Sequence, residues 1–263
     1  MVSNLEARRG LPVPTKILVR YLPIALTLLF SAQWALDGGD LDPPSGPIAS
    51  TGRFGSRIDA LSLPGDSIAM HIISVPGSYY LSGNLIGTTG KSGIAIRSKN
   101  VTLDLGGFAL LGVPGSASGV QADALDIPGI VVRNGQVEGW GDQGVYLGGS
   151  PYRRVENVLS RNNGSYGIQI TGEQAHIVRD CQAIDNGTVA VSGGIFVSEF
   201  SLVSECAAFS NTGTGILLPS PSSLANSLST QNSVVDIEML DGLLRGCAFG
   251  GLLTTSATLV DNQ

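Results

Sequence analysis

Few residues in this chain offer chemistry, and those that do recur at a common interval. Val155, Val178 and Val203 each open a similar stretch: VENVLSRNNG, VRDCQAIDNG and VSECAAFSNTG. LANSLSTQN, from Leu224, is a weaker fourth copy. Aligning the copies stacks Arg133, Glu156 and Arg179 in one column. Asn134, Asn157, Asp180 and Glu205 form the adjacent column. Asp180 and Glu205 then stand on neighbouring repeats. Such a pair can offer oxygen ligands to calcium, or share the work of glycoside hydrolysis at about 5–9.5 Å. Two ligands do not complete a cation site. The plainer reading is a solvated polar column of alternating charge. His71 and His176 read as surface or edge residues, and no serine arrangement beside them forms a triad. Cys181 and Cys206 share one repeat position, which Cys247 continues. That position points inward, so a stack of buried thiols is expected there.

A second set of residues suits binding. The pattern Gly–apolar–x–apolar begins at Gly93, Gly119, Gly144, Gly167, Gly194 and Gly215. Its middle residues are Ala95, Gln121, Tyr146, Gln169, Phe196 and Leu217, and on a strand they face away from the flanking apolar pair. A further outward column begins Arg97, Asp123, Gly148, Thr171. Tyr146 and Phe196 are two repeats apart, roughly 10 Å if the strands stack directly, close to the length of a disaccharide. Trp140, Tyr152 and Tyr166 lie in nearby turns. Tyr146, Gln169, Phe196, Gln121 and Trp140 are therefore the candidate ligand-binding residues, aromatic planes with amides between them. The same column also suits an apolar seam covered by a loop or another subunit.

The elements that must position these residues follow from the repeat itself. Successive glycines are 26, 25, 23, 27 and 21 residues apart, a mean of 24.4. The segments are short, β-branched and alternating, which is strand behaviour. Gly, Asn, Asp and Ser fill the gaps, which is turn chemistry. One copy has too little apolar surface to fold alone, while stacked copies bury a continuous core. A leucine-rich repeat, a propeller blade, a strict hexapeptide helix and the calcium-binding Gly-rich nonapeptide all fit worse. A flat Thr-x-Thr ice-binding array is absent. The expected fold is all-β, a right-handed parallel β-helix of about seven to eight coils, each with three short strands. Ile94/Ile96, Val120/Ala122, Val145/Leu147, Ile168/Ile170, Ile195/Val197 and Ile216/Leu218 should point inward. The glycine before each pair is expected to mark a sharp corner with unusual backbone angles. Asn163, Asn186, Asn211 and Asn232 should bond turn backbone and one another.

The chain has 263 residues, 36 of them glycine, and a net charge of −6. Glycine use is about twice normal. An acidic balance argues against nucleic acid as a partner. Residues 1–35 read as an export signal: Arg8, Arg9, Lys16 and Arg20 precede a nearly uncharged run from Tyr21 to Ala35. That run is shorter than the roughly 20 residues that span a bilayer. Cleavage after Ala32 or Ala35 leaves 11 basic and 20 acidic residues, a net charge of −9. Residues 36–61 read as a flexible lead-in or cap, and 62–263 as the β-helix domain. No later stretch suits a membrane span, so the mature chain is expected to be secreted, periplasmic or cell-surface.

GSYYLSGNL from Gly77, NVTLDLGGFALLG from Asn100 and VVRNGQVEGWGDQGV from Val131 together carry a resemblance. They resemble secreted right-handed parallel β-helix repeat proteins of the pectate-lyase-like superfamily, mostly bacterial and functionally unassigned. The resemblance covers roughly residues 62–255. It implies a fold shared by lyases, hydrolases, epimerases, tail spikes and adhesins, and fold does not choose among them. For a lyase or epimerase on uronate-containing glycans it implies a basic residue beside acids or calcium. Arg179 with Asp180 and Glu205 is the nearest constellation here. The first reading is a protein that binds or scaffolds extracellular carbohydrate or protein without catalysis. It needs no cofactor; calcium enters only for a lyase. Self-association, or a partner at the helix end or aromatic face, fits the same reading.

Overall fold

The computed structural model describes residues 57–219, 221–251 and 253–262. The expected signal peptide, and the lead-in before residue 57, lie outside the described residues. Ile58–Asp59 already pairs in parallel with Gly77–Tyr80, so the solenoid begins ahead of residue 62.

The chain winds as a right-handed parallel β-helix of about eight turns. One face is a nine-stranded parallel sheet. Its strands include Ser92–Ile96, Val120–Asp123, Val145–Gly148, Ile168–Ile170, Gly193–Val197 and Thr214–Leu218. A second face carries strands such as Val101–Asp104, Ile177–Arg179 and Leu202–Ser204. A third carries Gln182–Ile184 and Ala207–Phe209. The long strands Ile130–Glu138 and Arg154–Arg161 run around the bend and join the second face to the third.

Alternation within each short strand sets the core. Ile94 pairs with Val120, Val120 with Val145, Val145 with Ile168, Ile168 with Ile195, and Ile195 with Ile216. All six are completely buried, in one internal row. Each such side chain contributes about 1.5–3 kcal/mol through removal from water. Between Arg154–Arg161 and its neighbours the register is uniform. Val145 meets Ile168, Arg154 meets Ile177, and Leu159 meets Gln182, an offset of 23 residues each time.

The bends share a device that alternation alone does not reveal. Each turns on one residue in the left-handed region, followed by one residue pointing inward. Asn134, Asn157, Asp180, Glu205 and Asn226 do this between the second and third faces, with φ from 48° to 59°. Asn162, Asp185, Ser210 and Gln231 do it after the third face, and Tyr152, Ala175 and Phe200 before the second. Asn and Asp tolerate this conformation best among non-glycine residues, which accounts for their abundance at these positions.

The inward residues form stacks. Asn163, Asn186, Asn211 and Asn232 make the expected ladder: the Asn163 Nδ2 donates to Asn186 Oδ1 at 2.9 Å, and Asn186 Nδ2 to Asn211 Oδ1 at 3.0 Å. Asn211 Nδ2 continues to Asn232 Oδ1 at 2.9 Å. Cys181, Cys206 and Cys247 are buried free thiols.

The glycines opening each first-face segment serve a different purpose from the one expected. None of the six lies in the left-handed region. They are glycine because stacked backbone presses against them, together with Trp140 at Gly93 and Gly119 and the asparagine ladder at the other four. A Cβ on Gly167 would stand 2.7 Å from Asn186 Nδ2 and 3.0 Å from the Gly194 carbonyl oxygen. The constraint is close approach between coils, not backbone angle.

Candidate functional site

The middle residues of the first-face strands do form one outward column. Ala95 pairs with Gln121, Gln121 with Tyr146, Tyr146 with Gln169, Gln169 with Phe196, and Phe196 with Leu217. A trough of about 330 Å³ lies along it, lined by Ala117, Ser118, Gln121, Asp142, Gln143, Tyr146 and Gln169. A second hollow of about 200 Å³ adjoins it, lined by residues that include Ala95, Arg97, Gln121 and Asp123. Gln121 borders both.

The amides of the trough are held in place. Ser92 Oγ donates to Gln121 Oε1 at 2.9 Å. Ser118 Oγ donates to Gln143 Oε1 at 3.0 Å, and Gln143 Nε2 donates to Gln169 Oε1 at 2.9 Å. Each bond consumes a carbonyl acceptor and leaves Gln121 and Gln169 with amide N–H groups to offer a ligand. Tyr146 stands between these two amides, half-buried. Desolvation raises the Asp142 carboxyl above its ordinary value, while the Gln143 backbone N–H pulls the other way.

Ser118 and Gln143 escape a reading by strict alternation. The residue ahead of each glycine should point inward. The buried Ser118 hydroxyl nonetheless reaches Gln143, whose half-buried amide meets Gln169. Polar residues before the repeated glycine, Ser92, Ser118 and Gln143, are the signal that could have found them.

Comparison with family profiles agrees with this architecture. A family profile described as the right handed beta helix region matches residues 115–258, more than half of the chain. The chain belongs to the right-handed β-helix family. No curated protein matches it. Among solved structures, a trypsin-treated variant of QnrB1, described as a plasmid-mediated fluoroquinolone resistance protein, is 12% identical. That match covers 68% of this chain and 90% of the other, with a TM-score of 0.25.

The remaining candidates are distributed around this β-helix. Phe196 lies farther along the column, its ring 5.6 Å from that of Tyr166 at an interplanar angle of 49°. Burial, then the Glu238 charge, raises the Tyr166 hydroxyl above its ordinary value. Trp140 is not at the surface. It is 1% exposed, and its Nε1 donates to the Leu110 carbonyl oxygen at 3.1 Å. Its indole fills the space that Gly87, Gly93 and Gly119 leave open, which removes it from any ligand surface.

Arg179, Asp180 and Glu205 lie on a different part of the coil from the trough. Arg179 bonds Glu156 Oε1 at 3.1 Å and Asp180 Oδ2 at 3.3 Å. Glu205 occupies the same bend position one coil beyond Asp180. No group of three or more His, Cys, Asp or Glu placed to hold a metal occurs among the described residues. His176 corrects the sequence reading. It is 1% exposed, an inward bend residue stacked on the completely buried Arg153. His71 is half-buried, its Nδ1 2.8 Å from the Leu63 carbonyl oxygen.

Proposed function

We propose that this is an exported β-helix protein that holds an extended carbohydrate along its first face without breaking it. The observation that carries the reading is the trough over Gln121, Tyr146 and Gln169. Amide donors recur there on alternate coils, roughly 10 Å apart, with the Tyr146 ring on the coil between them. Sites that hold a ligand combine an apolar wall with a few fixed polar groups, and the Ser92 and Ser118 bonds supply that fixation. We place the chain, within this reading, among secreted members of the pectate-lyase-like superfamily. Its export signal is residues 1–35, followed by a lead-in that ends where the β-helix begins at Ile58–Asp59.

Binding is favoured over lyase or epimerase chemistry by the state of the arginines. Arg97, beside the trough, bonds Asp66 at 2.7 Å. Arg179 is shared between Glu156 and Asp180. These guanidinium groups are already engaged by carboxylates of the same chain rather than free to meet a substrate.

The test is a screen on uronate-containing polysaccharides with and without calcium, reading unsaturated product by ultraviolet absorbance, alongside retention on glycan columns. Retention that Tyr146→Ala weakens, with no absorbance gain, is the expected result. Unsaturated product would replace this reading with the lyase. No retention on any column would remove it.

A further inference from the structure

We infer that the bend between the second and third faces is a separate binding groove for an uncharged polysaccharide chain. The concave side of this bend encloses about 440 Å³. One rail is Asn134, Asn157 and Asp180, left-handed residues on successive coils. The facing rail is Gln136, Leu159 and Gln182, paired in register on the same coils. Both rails therefore repeat at the strand spacing, about 4.8 Å, and run parallel to the solenoid axis.

The chemistry of the rails selects the ligand. Asn157 Nδ2 donates to Asn134 Oδ1 at 3.2 Å, and Asn134 Nδ2 to Asp104 Oδ1 at 3.1 Å. These bonds fix the first rail. Gln136 and Gln182 are exposed, and their side-chain amides make no hydrogen bond with the described residues. Each offers two N–H donors and one carbonyl acceptor, the complement of sugar hydroxyls. Leu159 between them gives an apolar step for a pyranose face. Charge is cancelled nearby. Asp104 takes Arg57 and Arg133, each at 3.2 Å, Glu156 takes Arg179 at 3.1 Å and Arg154 at 3.6 Å, and Asp180 takes Arg179 at 3.3 Å. A polyanion or polycation finds no excess of opposite charge here, whereas a neutral polyhydroxylated chain finds amides. None of these residues belongs to the first-face trough, so the inference does not rest on that reading.

The test is affinity electrophoresis of the full exported chain through gels containing glucomannan, dextran or polygalacturonate, one at a time. The expected result is retardation by at least one of the two neutral polymers. The double variant Gln136→Ala/Gln182→Ala should cut that retardation at least fivefold with an unchanged melting temperature. Both glutamines are exposed, so the double variant keeps the core whole. The groove assignment is overturned if neither neutral polymer retards the chain, if only polygalacturonate does, or if the double variant migrates as slowly as the parent. Loss with Tyr146→Ala alone would move neutral-glycan binding to the trough and leave the first-face reading standing.

Discussion

The backbone N–H of Arg153 donates to Nδ1 of His176 across 3.3 Å inside the solenoid. The bond fixes the tautomer: Nδ1 accepts, so the neutral ring carries its proton on Nε2, which has no partner among the described residues. Arg153 is held by two carbonyl oxygens, of Ile127 at 2.6 Å and Gly148 at 2.8 Å. Burial lowers the Arg153 guanidinium to about 10. Burial, then the neighbouring Arg153 charge, lowers His176 to about 4.

This pair makes stability depend on pH. An unfolded histidine titrates near 6.5. Between pH 6.5 and 4 the unfolded chain binds more protons than the folded one. Stability is therefore full above that window and falls as pH falls through it, by about 2–3 kcal/mol near pH 4.5. Urea midpoints at pH 7 and 4.5 should differ in the parent and converge in His176→Gln. An equal difference in both proteins would detach the effect from His176.

The asparagine ladder should resist truncation. Asn186 Oδ1 accepts from both the backbone N–H and Nδ2 of Asn163, and its own Nδ2 reaches the Ser160 carbonyl oxygen at 3.0 Å. Asn186→Ala leaves these buried groups unpaired, costing about 2–4 kcal/mol. Exposed Asn157→Ala should cost less, about 1 kcal/mol, from the left-handed backbone alone. Chemical denaturation of both variants checks the contrast.

Glycine substitutions separate crowding from freedom. Gly167→Ala pushes a methyl group into Asn186 and the Gly194 carbonyl, and should destabilise by about 2 kcal/mol or more. Gly83 has nothing within 4 Å of a built Cβ and does not need the left-handed region. Gly83→Ala should be neutral or stabilise by up to about 1 kcal/mol. Comparable melting temperatures in the two variants would refute the close-approach explanation.

The thiol column should be chemically silent while folded. A hydrogen bond with Cys206, followed by burial, raises the Cys181 thiol well above its ordinary value. Burial also raises Cys247. Reaction with a thiol-exchange reagent at pH 8 should follow unfolding, with all three cysteines reacting in denaturant. Fast labelling of the native chain would contradict the inward placement.

A charge in the internal row tests the core directly. Ile168 is completely buried between Val145 and Ile195. Ile168→Asp should cost several kcal/mol, about 4 or more, and circular dichroism should register loss of the folded state at lower temperature.

The coil was legible because the inward row repeats β-branched residues at a steady interval, and stacking is the way for such segments to bury them. The outward column from Ala95 to Leu217 followed from the same alternation. What alternation could not carry was backbone angle. Gly167 read as a corner with unusual backbone angles and is not left-handed, while Asn162, beside the expected turn residue Asn163, is. Trp140 looked like a turn aromatic because glycines flank it at 139 and 141, but glycines from other coils make its pocket. His176 looked like an edge residue because it opens a strand, and the preceding left-handed Ala175 turns it inward. Gln136 and Gln182 drew no notice because their importance depends on a concave bend that no local pattern announces.

The offset of 23 residues holds on all three faces between the coils beginning near Val145 and Ile168. Excising one such unit would bring like against like in every column: amide on amide, thiol position on thiol position, hollow on hollow. The molecule is thus a measuring rod graduated in whole turns, and the length of its faces changes by one graduation at a time.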